Sequence, residues 1–359
     1  MKMKQLAPVV ICIVIFLVSS FYTPAEEANW DQDLASATAA RQRGEFAVAE
    51  TLYKQAIAVQ TRELGADNAA VAASMNNLAV LYQDQAQFTQ AEPLYKKSVA
   101  IWKQIPGQEM QAARCLNNLA ALHHDENMDA AAAADYRNAL AIWEKAGNAQ
   151  SAEAAVTLAG LADIYHAEQK DAEAELLYVR VLAIWKENGN MESAEAAGAL
   201  LNLGDIYHAR KMDSEATPLY SKALATQEMI GKLDTRQTIE AMDKLGEIYS
   251  AAGSYVAAEP YFAKVLEIKR RESGSDSLEI ANHANRLALL YYCEGKYAAA
   301  EPLYLEALRI REQNLGTDDP AVKQTMQFYA ALLRQEGRKN EARQFEALTS
   351  SRSLSPVAF

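Results

Sequence analysis

The chain has 359 residues, of which 50% are hydrophobic and 23% are charged, so it is too apolar for a disordered protein. Glycine (15) and proline (9) are scarce, which disfavours a turn-rich β-sandwich or barrel and favours helices. The net charge of −12 argues against binding a nucleic-acid backbone through bulk charge.

The N-terminal segment has the layout of an export signal. Lys2 and Lys4 precede an apolar run from Leu6 to Val18, and small or polar residues follow as far as Ala25. This order is typical of a secretory signal peptide, and the run is short for a spanning helix. We therefore predict a signal peptide over residues 1–25 and a periplasmic or secreted protein. The alternative is an inner-membrane anchor formed by residues 6–22, which is the one case in which we expect membrane contact.

A repeat of about 42 residues fills the rest of the chain. The segment Leu78-Ala79-x-x-Tyr82 recurs with its last position at His123, Tyr165, Tyr207, Tyr249 and Tyr291. A second marker, an alanine nine residues after this position, occurs in all eight units: Ala49, Ala91, Ala132, Ala174, Ala216, Ala258, Ala300 and Ala342. An aromatic residue stands four positions after seven of these alanines.

These spacings place the recurring residues on one face of a helix, so each unit is predicted to be two helices, A and B. Gly253, Gly295 and Gly337 mark the turn between them in the later units. Stacked pairs bury a face that one pair cannot cover, which predicts an all-α, right-handed solenoid of about eight antiparallel helix pairs. The predicted units lie near residues 31–67, 68–108, 109–149, 150–191, 192–233, 234–275, 276–317 and 318–348, within an array over 26–348. A disordered tail is expected over 349–359.

The repeat resembles a known family. Leu203-Gly204-x-x-Tyr207, followed by Ala216-x-x-x-Tyr220, is similar to the tetratricopeptide repeat (TPR). The 42-residue unit, with Asn76-Asn77-Leu78-Ala79-x-x-Tyr82, resembles the kinesin-light-chain subtype. His123 in place of tyrosine is a departure from the pattern. The resemblance implies the solenoid fold, but the export signal argues against a cytoplasmic motor function.

Catalytic motifs are not found in the sequence. It contains no phosphate-binding loop, nucleophile elbow, His-Glu-x-x-His motif or glycine-rich nucleotide turn. We therefore predict no enzyme activity, no cofactor and no metal site. Cys115 and Cys293 lie far apart in sequence and are interpreted as half-buried small hydrophobes.

The candidate partner-binding residues lie on the A helices, which line the concave side of a helical solenoid. Three columns opposite the packing positions vary between units while the packing columns do not. They supply the predicted groove residues: Asn76, Asn117, His124, Asp163, His166, Asp205, His208, Asp243, Glu247, Asn285 and Tyr292.

The middle of this groove is predicted to pair Asp163 with His166, and Asp205 with His208, because residues three apart meet on one helix face. These acids and histidines, together with Glu247, should be substantially exposed, unlike Tyr165 and Tyr207. The functional interpretation is an anionic, pH-sensitive patch for a basic or hydrogen-bonding peptide, and the alternatives are a solvated face with incidental ion pairs or, less favoured, a metal site.

A tryptophan column on the B helices, Trp102, Trp143 and Trp185, is predicted to be buried. Together these observations predict an exported scaffold that binds a protein or peptide partner, and no nucleic acid, in its concave groove. The rival functions are a metal-dependent or enzymatic module that uses the Asp/His ladder, and a homo-oligomer stacked through its end repeats.

Overall fold

The computed structural model describes residues 27–350, apart from residue 275. Every element in this part of the chain is a helix, sixteen in all, and no strand occurs in it. The predicted all-α repeat solenoid is thereby confirmed. The predicted signal peptide lies outside the described residues, as do residues 351–359. The final helix continues to Ser350, so the first two positions assigned to the tail are helical instead.

The chain forms two compact units, residues up to 206 and residues from 207. In the first, each of the first seven helices packs against the next in sequence, and the third A helix also contacts the A helix on either side of it. Odd-numbered helices are the A helices and even-numbered ones the B helices. The helices of this unit are α1 (Glu27–Gln42), α2 (Phe46–Leu64), α3 (Ala69–Asp84), α4 (Phe88–Gln104), α5 (Glu109–Asp125), α6 (Asp129–Lys145), α7 (Ala152–Ala167), α8 (Asp171–Glu187) and most of α9 (Ala194–Ala209).

In the second unit, consecutive helices also pack against each other. Its turns after the B helices carry side-chain N-caps, such as Thr235 and Asp319, which satisfy orphan backbone N–H groups of the next A helix. Its helices are α10 (Asp213–Met229), α11 (Arg236–Ala251), α12 (Tyr255–Ser273), α13 (Leu278–Cys293), α14 (Tyr297–Leu315), α15 (Pro320–Gln335) and α16 (Lys339–Ser350).

The repeat markers form the core. Ala174 and Ala216 have no exposed surface, as the packing argument predicts, and Tyr178 and Tyr220 are equally buried. At the small A-helix position the fit is tight enough to require glycine in one repeat: a Cβ on Gly246 would lie 2.4 Å from the Phe262 ring. Close approach of the A and B helices therefore depends on these small side chains.

The turn from each A helix to its B helix has a left-handed residue in every repeat. Gly253, Gly295 and Gly337 lie in this turn, as predicted, and have positive φ, but Ala86 adopts φ of +56° without being glycine. The N–H of the residue after the left-handed one donates to the carbonyl oxygen five positions earlier, as from Gln87 to Tyr82 at 2.8 Å. This is the 6→1 bond of a Schellman motif, which ends the helix and fixes the entry of the next one.

Ala86→Gly should therefore stabilise the protein. A Cβ in the left-handed region costs roughly 1–2 kcal/mol, and the greater freedom of glycine in the unfolded chain offsets part of this. We expect a net gain of about 0.5–1 kcal/mol in the free energy of unfolding, measured by urea denaturation. Ala100→Gly is the matched control, because Ala100 is exposed within α4 and should lose about 1 kcal/mol. A loss of stability in both variants would contradict the strain argument.

Candidate partner-binding face

All eleven predicted groove residues are accessible to solvent. His124, Asp163 and Glu247 are exposed, and the other eight are half-buried. The columns are not uniform, because Val80 and Ala121, which share the column of Asp163, are buried. We call the accessible side of the A helices in each unit its A-helix face.

The predicted contrast between histidine and tyrosine is wrong. Tyr165 and His166 are both half-buried, and so are Tyr207 and His208. A tyrosine of this packing column is therefore only partly covered by its neighbours.

The predicted pairing of each acid with the histidine three residues later is also wrong. The Nδ1 atom of His166 lies 2.8 Å from Asp171 Oδ1, and that of His208 lies 2.6 Å from Asp213 Oδ1. His124 makes the same contact with Asp129 at 2.8 Å. The aspartate is the first residue of each B helix, which the tight A–B turn brings back beside the histidine. These contacts join the two helices of a repeat.

Asp163 has different partners. Its Oδ1 accepts hydrogen bonds from the Tyr178 hydroxyl at 2.5 Å and from the Asn202 amide at 2.8 Å, and Asn202 also donates to Tyr178 at 3.0 Å. No side chain among the described residues donates to the second oxygen, Oδ2. The cluster joins α7, α8 and α9 and leaves one carboxylate oxygen for a partner.

Desolvation by the surrounding helices raises the pKa of the Asp163 carboxyl, while the bonds from Tyr178 and Asn202 act in the opposite direction. Solvent nevertheless reaches Asp163 and screens its charge. Burial, followed by the neighbouring Asp163 carboxylate, raises the pKa of the Tyr178 hydroxyl, which therefore remains a proton donor.

The asparagines of the first unit bond across neighbouring repeats. Asn118 Nδ2 donates to Asn76 Oδ1 at 3.0 Å, and Asn117 Nδ2 donates to Thr157 Oγ1 at 2.7 Å. These amides are therefore held in position, and part of their hydrogen-bonding capacity is already used. In the described part of the chain, the Oδ1 atoms of Asn117 and Asn285 are enclosed and have no donor.

In the second unit, Asp243 and Glu247 lie close to an arginine that is not part of the three predicted columns. Arg286 Nη1 lies 3.0 Å from Asp243 Oδ1 and 3.1 Å from Glu247 Oε1. The Asp243 contact is close but not aligned as a hydrogen bond. His283 Nδ1 also lies 3.6 Å from Asp243. This part of the A-helix face therefore carries both signs of charge.

His123 stands where other repeats have a tyrosine, and it still lies close to the glutamate that those tyrosines contact. Tyr82 and Tyr291 donate from their hydroxyls to a glutamate of the preceding B helix, Glu50 and Glu259 respectively, both at 3.0 Å. The His123 ring lies 3.5 Å from the equivalent Glu92. This departure from the repeat pattern is therefore a structural substitution.

The tryptophan column is buried, as predicted: Trp102, Trp143 and Trp185 are each at most 5% exposed. Cys115 is fully buried, and burial raises the pKa of its thiol to about 12. Cys293 is exposed, so neither cysteine is half-buried as predicted.

Within residues 27–350, 275 excepted, no three His, Cys, Asp or Glu side chains are placed to share a metal ion. None of the described helices combines the length and apolarity needed to cross a bilayer.

Family models described as tetratricopeptide repeat match most of the chain, at residues 33–104, 195–271 and 279–348 for one model and at 112–146 and 157–192 for two others. The chain belongs to the tetratricopeptide repeat family, which confirms the resemblance seen in the repeats. No curated relative matches it by sequence.

Solved structures with the same fold include BtubC (BKLC) from P. vanneervenii, at 23% identity, covering 68% of this chain and 92% of that one with a TM-score of 0.53. The apo form of RapI is 13% identical and covers 79% and 98%, with a TM-score of 0.55. PilF of Pseudomonas aeruginosa is 17% identical and covers 71% and 96%, with a TM-score of 0.53. At these identities the likeness shows the fold alone.

Proposed function

We propose that this TPR protein is an exported, non-enzymatic scaffold whose A-helix face binds an extended peptide or a helix of a partner protein. The observation that carries the proposal is the contrast between columns. Packing columns hold the same small and aromatic residues in successive repeats, whereas all eleven predicted groove residues are accessible and vary in chemistry. Repeat arrays of this kind bind partners through the face that packing leaves free.

The chemistry of the face supports a partner with basic or hydrogen-bonding groups in the first unit. Asp163 offers Oδ2, and Tyr178 and Asn202 hold the carboxylate in one orientation. A fixed carboxylate loses less side-chain entropy when it accepts a bond from an amide, lysine or arginine of a partner. In the second unit the Arg286 pairs favour a segment of mixed charge instead.

Export is the second part of the proposal, and it is supported by the basic, apolar and small-residue order of residues 1–25. Mass spectrometry of the protein from an envelope fraction tests it: cleavage after Ala25 leaves Glu26 as the N-terminus, and cleavage after Ser20 leaves Phe21. Recovery of Lys2 and Lys4 in the mature protein would favour the membrane-anchor alternative.

Replacing the acids of the A-helix face should weaken partner capture. The mature protein, immobilised, is compared with its Asp163→Asn/Asp205→Asn variant for proteins retained from the envelope extract at low and moderate salt. We expect retention to fall about five- to tenfold and to depend less on salt, because two charges that attract a basic partner are lost.

The control must remove the same charge elsewhere. Glu267→Gln/Glu272→Gln changes two exposed acids of helix α12, a B helix, and should leave capture unchanged. Equal retention by the wild type and the Asp→Asn variant would show that the acids are only a solvated face. Equal losses in both variants would attribute capture to net charge and contradict binding at the A-helix face.

A further inference from the structure

Helix α8 carries an apolar stripe on its outer side. Ala172, Leu176, Val179 and Ala183 recur at helical spacing and therefore share one face. All four are exposed, and 73% of Leu176 and 49% of Val179 are accessible to solvent. The opposite side of the same helix holds its buried packing residues: Ala174, Tyr178, Val181, Ile184 and Trp185. Helix α8 is thus apolar on two faces, whereas a surface helix normally has one.

Packing within the array does not require this stripe. The position of Val179 is occupied by Lys96 in α4, Arg137 in α6 and Ser221 in α10. An uncharged Ala-Leu-Val-Ala row on the outside of one B helix therefore needs a different explanation. Contiguous exposed apolar residues of this kind mark an interaction surface.

The charges beside the stripe identify the partner. Glu175 lies on one flank of the row and Arg180 lies on the other, five residues later. In a heptad, Leu176 and Val179 take positions a and d, which makes Glu175 position g and Arg180 position e. In a parallel helix pair, g of one helix faces e of the other five residues on, so the flanks of two α8 helices are complementary. In an antiparallel pair, Glu175 of one chain would lie near Glu175 of the other, and Arg180 near Arg180. Like charges would then meet.

We propose that α8 is a self-association surface, on which a second copy of this chain packs its own α8 in parallel. Leu176 and Val179 of the two copies form the centre, and Glu175 of each copy pairs with Arg180 of the other. Ala172 and Ala183 allow the helices to approach closely at both ends of the stripe. The contact is the same patch on both chains, so it closes at two copies.

The dimer is weak. One four-residue stripe per chain is smaller than the roughly 800 Å² per partner of a stable interface, which places the dissociation constant in the micromolar range. Both flanking side chains also have contacts within the chain, for Arg180 a loose one of 3.6 Å from its Nη2 atom to Glu144, and the pairing between copies competes with them. The stripe is on a B helix and does not overlap the A-helix face, so dimerisation and peptide capture are separable.

Sedimentation equilibrium of the mature protein, from about 1 to about 200 µM, tests the proposal. We expect a monomer–dimer equilibrium for the wild type and a monomer throughout for Val179→Glu, with circular dichroism showing that the variant remains folded. Leu305→Glu is the matched control, because Leu305 stands at the same repeat position in α14 and is 43% exposed. It should dimerise like the wild type. A wild-type monomer at every concentration, or a Val179→Glu variant that dimerises normally, would overturn the proposal.

Charge exchange tests the parallel arrangement. Glu175→Arg and Arg180→Glu should each weaken the dimer about tenfold at low salt, because each creates two like-charge contacts. The double variant Glu175→Arg/Arg180→Glu restores opposite charges and should dimerise like the wild type. A double variant that is as weak as the two single ones refutes the assigned pairing.

Discussion

Trp143→Ala should destabilise the protein by about 3–5 kcal/mol, the range for truncating a buried tryptophan. Trp143 is 1% exposed and packs in a core cluster with Val71, Ala72 and Ala139. Its Nε1–H donates to Thr157 Oγ1 at 3.2 Å, across the boundary between consecutive repeats. Truncation leaves a cavity that the surrounding helices can fill only in part, so the cost exceeds the lost hydrophobic transfer energy. Urea denaturation followed by circular dichroism measures it.

The neighbouring repeat provides an internal control for the hydrogen bond. Trp185 is also buried, but its Nε1–H has no acceptor among the described residues, and Ala199 stands where the earlier repeat has Thr157. Trp143→Phe should therefore cost about 1 kcal/mol more than Trp185→Phe, since only the first loses a hydrogen bond. Equal costs would show that the Thr157 contact contributes nothing.

Damage at Trp143 should also stay local. Each repeat contacts its neighbours only, so the stability of an array is close to a sum of repeat and interface contributions. Hydrogen exchange in Trp143→Ala should accelerate in α5, α6 and α7 before it does so in the last repeats. Uniform acceleration along the chain would mean that the array unfolds as one cooperative block.

The fold could be predicted from the sequence because its determinants recur. Eight copies of one spacing fix the A/B alternation, and constant columns such as Ala174 and Ala216 identify the buried positions without any comparison with other proteins. The left-handed turn was predicted only where it is glycine. At Ala86, Gln169 and Lys211 the helix pair imposes the same backbone conformation against the preference of the side chain, whereas Asn127 is of a type that tolerates it.

The partners of the site residues could not be predicted in the same way. The i, i+3 rule treats a helix as isolated and missed the turn that carries Asp171 back to His166. Bonds between repeats, such as Asn118 to Asn76, were within reach of the sequence, because their partners lie close to one repeat length apart. The Arg286 pairs needed the structure, since the column has a basic residue in the preceding repeat too, Lys244, and its spacing does not show which acids such a side chain reaches.

Ala216→Leu should destabilise the protein by about 1–3 kcal/mol. Ala216 has no exposed surface and lies on the face of α10 that also buries Tyr220 and Ala223. Three extra carbon atoms have no space there, so either the side chain leaves its preferred rotamer or the helices move apart. Ala174→Leu in α8 should have the same cost for the same reason.

The control lies on the same helix. Ala225 is exposed on α10, nine residues after Ala216, and Ala225→Leu adds the same atoms at a site open to solvent. Alanine and leucine differ little in helix propensity, so its free energy of unfolding should stay within about 0.5 kcal/mol of the wild type. A difference between the two variants measures overpacking alone. Equal midpoints of urea unfolding would mean that α10 is not held closely against its neighbours, and that the small residues of the repeat do not set the distance between helices.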